Sequence, residues 1–125
     1  MSENPYPPSA QKGMSHMTNQ TVVEKIADYI ENHLEEDIPL DKIAKELNYS
    51  KFYIARVFAD NTGYTIYKYI QGRRLTLAAR KLAETDKPIV EIAYEARYGS
   101  QQAFTLAFSQ FYLCKLRVSH KRVAF

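Results

Sequence analysis

The sequence predicts an all-α fold. Three observations carry it. Apolar residues recur at three- and four-residue spacing along most of the chain, and no stretch alternates at period two over a useful length. Proline, glycine and serine punctuate that pattern at short intervals. A helical pattern that starts near Asp37 returns near Asp86.

The elements follow in chain order. Residues 1–19 are expected to form a disordered tail or tag. Pro5, Pro7 and Pro8 stand there among Ser, Asn and Gln, and Met14-Ser15-His16-Met17 resembles a cloning junction. Thr21-Val22-Val23-Glu24 has the form of a capping box, and Val22, Ile26, Ile30 and Leu34 follow on one helical face. A second helix after Pro39 carries Leu40, Ile43, Ala44 and Leu47. Ser50 can cap a third, with Phe52, Ile54, Val57 and Phe58, and Asn61-Thr62-Gly63 stops it. A long helix is expected from Thr65 to Glu84, with Ile66, Tyr69, Ile70, Leu77, Ala78 and Leu82. It breaks at Thr85-Asp86-Lys87-Pro88. A fifth helix carries Ile89, Ile92, Ala93 and Ala96. Ser100 can cap a sixth, with Phe104, Ala107, Phe108 and Phe111. A short closing helix within Leu113–Phe125 brings the expectation to about seven.

The repeat is the strongest organisational signal. Asp37, Pro39, Ile43 and Ala44 match Asp86, Pro88, Ile92 and Ala93, and 86 lies 49 positions after 37. Tyr49 and Tyr98 keep that offset. Ser50 and Ser100, then Phe58 and Phe108, are 50 apart, so the second copy has one more residue in its turn. Each copy reads as a short helix, a tight turn and a second helix closed by an aromatic residue, which is a helix-turn-helix unit. The expected layout is a first helix-turn-helix subdomain over 20–64, a linker helix over 65–84 and a second subdomain over 85–125. Twenty helical residues (65 to 84) rise about 30 Å, close to the ~34 Å of one turn of B-DNA. A rod of that length suits two recognition helices acting in successive major grooves from a single chain.

Composition narrows the class. The chain has 125 residues and a net charge of +3. Residues 1–50 hold four basic and nine acidic side chains, and residues 51–125 hold thirteen and five. The basic part suits either a polyanion partner or a plain solvated surface. A single cysteine excludes a disulfide framework. His16, His33 and His120 are scattered, Cys114 has no evident His partner, and no phosphate-loop motif occurs, so no enzyme chemistry, metal or cofactor is called for. No apolar run approaches the ~20 residues that span a bilayer. A soluble cytoplasmic protein with no membrane partner is expected. Glu35-Glu36-Asp37 reads as a solvated loop or a protein contact.

From about residue 20 to 114 the sequence resembles the AraC/XylS transcriptional regulators, and among them the small regulators of the MarA, SoxS and Rob type. Ile43-Ala44, Tyr49-Ser50-Lys51, Arg56-Val57-Phe58, Tyr69-Ile70, Arg73-Arg74-Leu75 and Ala78-Ala79 carry the resemblance. The most specific run is Ser100-Gln101-Gln102 with Phe104-Thr105 and Phe108. The resemblance implies a bacterial DNA-binding transcription regulator, acting as a monomer on double-stranded promoter DNA and touching RNA polymerase, as an activator or otherwise. Carried over residue by residue, the base readers are Phe52, Ala55 and Arg56 in the first unit. In the second they are Gln101, Gln102, Thr105 and Leu106. Arg56 suits guanine, Gln101 or Gln102 adenine, and Thr105, Ala55 and Phe52 a thymine methyl. Phe52 also suits a core position, Arg56 an ion pair and the two glutamines any solvated first turn. Ser50, Lys51, Lys68, Arg73, Arg74 and Ser100 would meet phosphate.

Three departures stand out against the family pattern. Asn48 and Arg97 replace the turn glycine, and a left-handed backbone suits Asn better than Arg. Lys115-Leu116-Arg117-Val118-Ser119-His120 replaces the usual Gly-x-[ST]-Pro ending, which leaves the closing helix in question. The length leaves no room for an effector-binding domain, and a larger parent protein carrying one stays open. If the second unit is compromised by these changes, the alternative is an interaction protein that contacts polymerase or another regulator and binds DNA weakly.

Overall fold

The computed structural model describes residues 18–120, with side chains as far as Leu113. Six helices occupy these residues: α1 (Asn19–Glu31), α2 (Leu40–Leu47), α3 (Lys51–Thr62), α4 (Ile66–Glu84), α5 (Ile89–Glu95) and α6 (Gln101–His120). They gather into two compact units. Among the described residues, the first takes 18–29 together with Pro39–Ile66, and the second takes Ile30–Ile38 together with 67–120. Segment 30–38 therefore clusters with the second unit, although its position in sequence put it with the first. Of the expected tail over 1–19, residues 1–17 lie outside the described residues, as do the last five, and Asn19 already belongs to α1.

Two helix ends differ from expectation. The first cap is Thr18, not Thr21: the Thr21 N–H donates to Thr18 Oγ1 at 3.1 Å, and the Val22 N–H donates to the Thr18 carbonyl. Thr21 therefore sits at the third helical position, where its amide is one of the orphan donors that a cap satisfies. At the other end no separate closing helix stands among the described residues. With no glycine or proline after Gly99, α6 runs unbroken to His120, which makes six described helices where about seven were expected.

In the first unit, Pro39 opens α2 in an extended conformation, and its carbonyl accepts from Lys42 and Ile43. Asp41 in the first turn and Lys45 in the last complement the helix dipole. The helix ends in a Schellman motif. Asn48 turns left-handed at φ 65°, its N–H donates to the Lys45 carbonyl, and the Tyr49 N–H reaches back to Ala44 at 2.9 Å. Ser50 then starts α3, its hydroxyl accepting from the Tyr53 N–H at 3.1 Å. Gly63, at φ 81°, ends α3. α2 packs on α3, and Val22, Ile26, Ile43, Ile54, Val57 and Phe58 are buried.

The second unit repeats these bonds one for one. The Pro88 carbonyl accepts from Glu91 and Ile92, Arg97 N–H donates to Tyr94, and Tyr98 N–H donates to Ala93 at 3.0 Å. Ser100 accepts from the Ala103 N–H at 3.1 Å. Gly99 is the residue added between the aromatic and the serine. Arg97 takes the left-handed conformation at φ 70°, so the turn keeps its shape and the arginine bears the strain. α5 packs on α6 over a core of Leu75, Ala78, Ile92, Ala93, Ala96 and Phe104. Phe58 closes the first core from full burial. Its counterpart Phe108 is only partly buried, because Phe104 takes the centre where the first unit has Ile54. Tyr98 meets Phe104 edge-on at 5.7 Å, and Phe104 leads to Phe108 and then Tyr112 along α6. Burial pushes the Tyr98 phenol up from its ordinary range.

Arg97→Gly removes the left-handed penalty and loses one exposed ion pair. The expected net effect is a gain of about 1 kcal/mol in urea unfolding, and Asn48→Gly gains only a few tenths. A loss of stability for Arg97→Gly would show that the arginine side chain outweighs its backbone.

Candidate nucleic-acid interface

The capped start and the buried stripe together decide which face of α3 meets solvent. Ile54, Val57 and Phe58 are buried, so at 100° per residue Phe52, Ala55 and Arg56 fall on the opposite side. Phe52 is 78% exposed, which places it on the outer face and not in the core. Arg56 is exposed and Ala55 half-buried beside it. The three residues singled out in the first unit thus share one surface.

α6 follows the same rule. Phe104 is buried, with Ala107, Phe108 and Phe111 along its edges, and Gln101, Gln102, Thr105 and Leu106 lie exposed on the other side. Leu106 is 61% exposed. The 50-residue offset holds across both helices. Phe52 corresponds to Gln102, Ala55 to Thr105 and Arg56 to Leu106.

The six expected phosphate contacts divide into several kinds. Ser50 and Ser100 are the two caps, and each hydroxyl keeps a proton to donate outward. Lys51 pairs with Asp41 at 3.2 Å and lies 5.7 Å from the centre of the Phe52 ring. Lys68 is exposed on α4. Arg73 and Arg74 are engaged inside the second unit. Arg73 Nε donates to Glu31 at 2.6 Å, and that bond raises its pKa. Arg74 donates through Nε to the Leu34 carbonyl at 2.9 Å and through Nη2 to the Glu36 carbonyl at 2.6 Å. Its fork satisfies the backbone of a segment that leaves a helix, and burial lowers its pKa. Arg74, expected at phosphate, thus holds the 30–38 segment against α4 within the second unit.

The acidic run after α1 is likewise no free loop. Glu35 pairs with Lys81 at 2.9 Å, Asp37 pairs with Arg97, and Lys81 also reaches Glu95, which Lys87 approaches at 2.7 Å. The bonds from Lys81 and Lys87 hold the Glu95 carboxyl below its usual range. Burial pulls Lys81 down, but its bonds to Glu95 and Glu35 outweigh burial and leave it raised. Sequence reasoning missed Arg97 and Glu95 as partners. The signal for the network was the opposed charge of the chain's two parts.

Two solvent-facing helices, each set by a left-handed turn and a serine cap, define a double helix-turn-helix protein of the kind that reads the major groove. The helix-turn-helix domain profile matches residues 43–121. The chain is 38% identical over 92 residues to Regulatory protein SoxS of Salmonella typhimurium, covering 74% of this chain and 86% of that one. It is 38% identical over 94 residues to Transcriptional regulator Rob of the same organism, covering 75% of this chain and 32% of Rob, so it spans about a third of that relative. A crystal structure of an AraC-type transcriptional regulator from Chromobacterium violaceum superposes with a TM-score of 0.72 at 26% identity, covering 74% of this chain and 83% of that one. The chain belongs to the AraC/XylS family of DNA-binding transcription regulators, in the group of SoxS and Rob. That family consists of regulators, not enzymes.

Arg74→Ala is expected to cost about 2 kcal/mol in urea unfolding, because two backbone carbonyls lose a charged donor. Arg73→Ala, which breaks an exposed pair, costs under about 1 kcal/mol. The depressed Glu95 carboxyl contributes stability above its unfolded value near 4.5, and that contribution is lost as pH falls. Glu95→Gln should therefore flatten the acid limb of stability against pH. An unchanged limb would remove Glu95 from that role.

Proposed function

We propose that this chain is a sequence-specific transcription regulator that sets α3 and α6 into successive major grooves of promoter DNA as a monomer. Phe52, Ala55 and Arg56 read bases from the first unit, and Gln101, Gln102, Thr105 and Leu106 read them from the second. Ser50, Lys51, Lys68 and Ser100 hold phosphate. Arg73 reaches phosphate only by exchanging its carboxylate partner. The single observation that carries this reading is the placement of both sets of readers on the solvent side of two helices that share matching turn hydrogen bonds and serine caps. The protein acts by occupancy in the cytoplasm, with an exposed face touching RNA polymerase, in the manner of an activator. The intact second turn supports a working second unit over the reading as an interaction protein that binds DNA weakly.

Selection of bound duplexes from a random library of about three helical turns tests the reading. The expected winner has two boxes one turn apart and binds one copy of the chain. A single box would mean a compromised second unit, and no enrichment would favour the interaction protein. On the winning duplex, Arg56→Ala should relax one position by about 1–3 kcal/mol. Lys68→Ala should weaken specific and random DNA alike and reduce the salt slope by about one. Equal losses on both kinds of DNA for Arg56→Ala would remove it from the readers.

A further inference from the structure

What the second unit reads follows from the charge of its recognition helix, given the DNA-reading function proposed above. From Gln101 to Leu113, α6 has no charged residue, whereas α3 carries Lys51, Arg56 and Asp60. The register between the two helices places Leu106 where the first unit has the Arg56 guanidinium. Leu106 is 61% exposed, and Leu113, nearly two turns on along the same side, is 54% exposed. Gln102 precedes Leu106 by four residues, so the amide and the apolar side chain stand one above the other on one face.

That face matches one kind of base pair. A G·C pair shows the major groove two acceptors on guanine and an amine on cytosine, best met by a cationic fork and a carboxylate. The described side chains of α6 have neither. An A·T pair shows adenine N6 and N7, which suit a glutamine amide, and beside them the thymine methyl, which suits an apolar side chain. We propose that the second unit reads an A·T box, and that Leu106 recognises a thymine in it by its C5 methyl group. Guanine reading then falls to Arg56 in the first unit, and the two boxes differ in composition.

The test uses the intact chain and the duplex selected above. Each thymine of the second box is replaced in turn by deoxyuridine, which removes the methyl and keeps the base pairing. One replacement should weaken binding about fourfold, the transfer of a single methyl out of water. Leu106→Ala, an exposed substitution that leaves the core untouched, should bind the thymine and uracil duplexes equally. Leu106→Arg should shift the selected base at that position to guanine. A guanine read in the second box by the unaltered protein, a uracil effect below twofold throughout, or a uracil penalty that persists in Leu106→Ala would each overturn the proposal. Failure to select any box would instead overturn the DNA-reading function on which it rests.

Discussion

Both units depend on a backbone turned left-handed at one residue after a short helix. That single residue lets two amides reach back to the carbonyls of the helix it leaves, and it redirects the chain toward the next cap. The serine that follows fixes where the recognition helix begins. Once the start is fixed, helical periodicity decides which residues are buried and which face outward. Phe52 and Leu106 are exposed because Ile54 and Phe104 are buried, and these in turn are buried because the caps stand at Ser50 and Ser100. Asn48 adopts the required conformation readily. Arg97 adopts it at a cost, so the bonds of the turn evidently exceed the strain of about 1–2 kcal/mol that a non-glycine residue brings.

Charge does a second, separate job. Lys81 on α4, with Lys87 and Arg97 on either side of α5, is matched by the short acidic run after α1 and by Glu95, within one unit. Arg74 goes further and spends its donors on backbone carbonyls. The net basic character of the chain's later part therefore overstates what is available to a polyanion. Lys51, at the start of α3, and Lys68, on α4, face solvent.

Much of this was legible in the sequence because local chemistry decided it. Pro39 and Pro88 open helices and Ser50 and Ser100 cap them through their side chains, and Gly63 ends one because it has none. The duplication was visible as two offsets, and the change of offset fell where Gly99 lengthens the turn. What escaped was decided by competition or by distance. Thr18 and Thr21 are both competent caps, and only the folded helix chooses between them. Arg73 and Arg74 are adjacent and alike in composition, yet one meets a carboxylate and the other two carbonyls about 40 residues away. No spacing rule reports such a pairing. The reading face was accessible as a set of positions, while the exposure of Phe52 had to await the fold.

Because residues 30–38 belong to the second unit, the order of the chain is not the order of its units. This acidic run leaves the ribosome long before its partners: Glu35 waits 46 residues for Lys81, and Asp37 waits 60 for Arg97. The second unit is thus discontinuous in the chain, with the whole of α2 and α3 inserted between its two pieces. It cannot be excised as a contiguous fragment without leaving Arg74 and Lys81 beside missing partners. The first unit is interrupted in the same way by 30–38, so each unit closes through non-local contacts. The duplication seen in the sequence is therefore not a duplication of self-sufficient modules, and the copy made last is completed by residues made early.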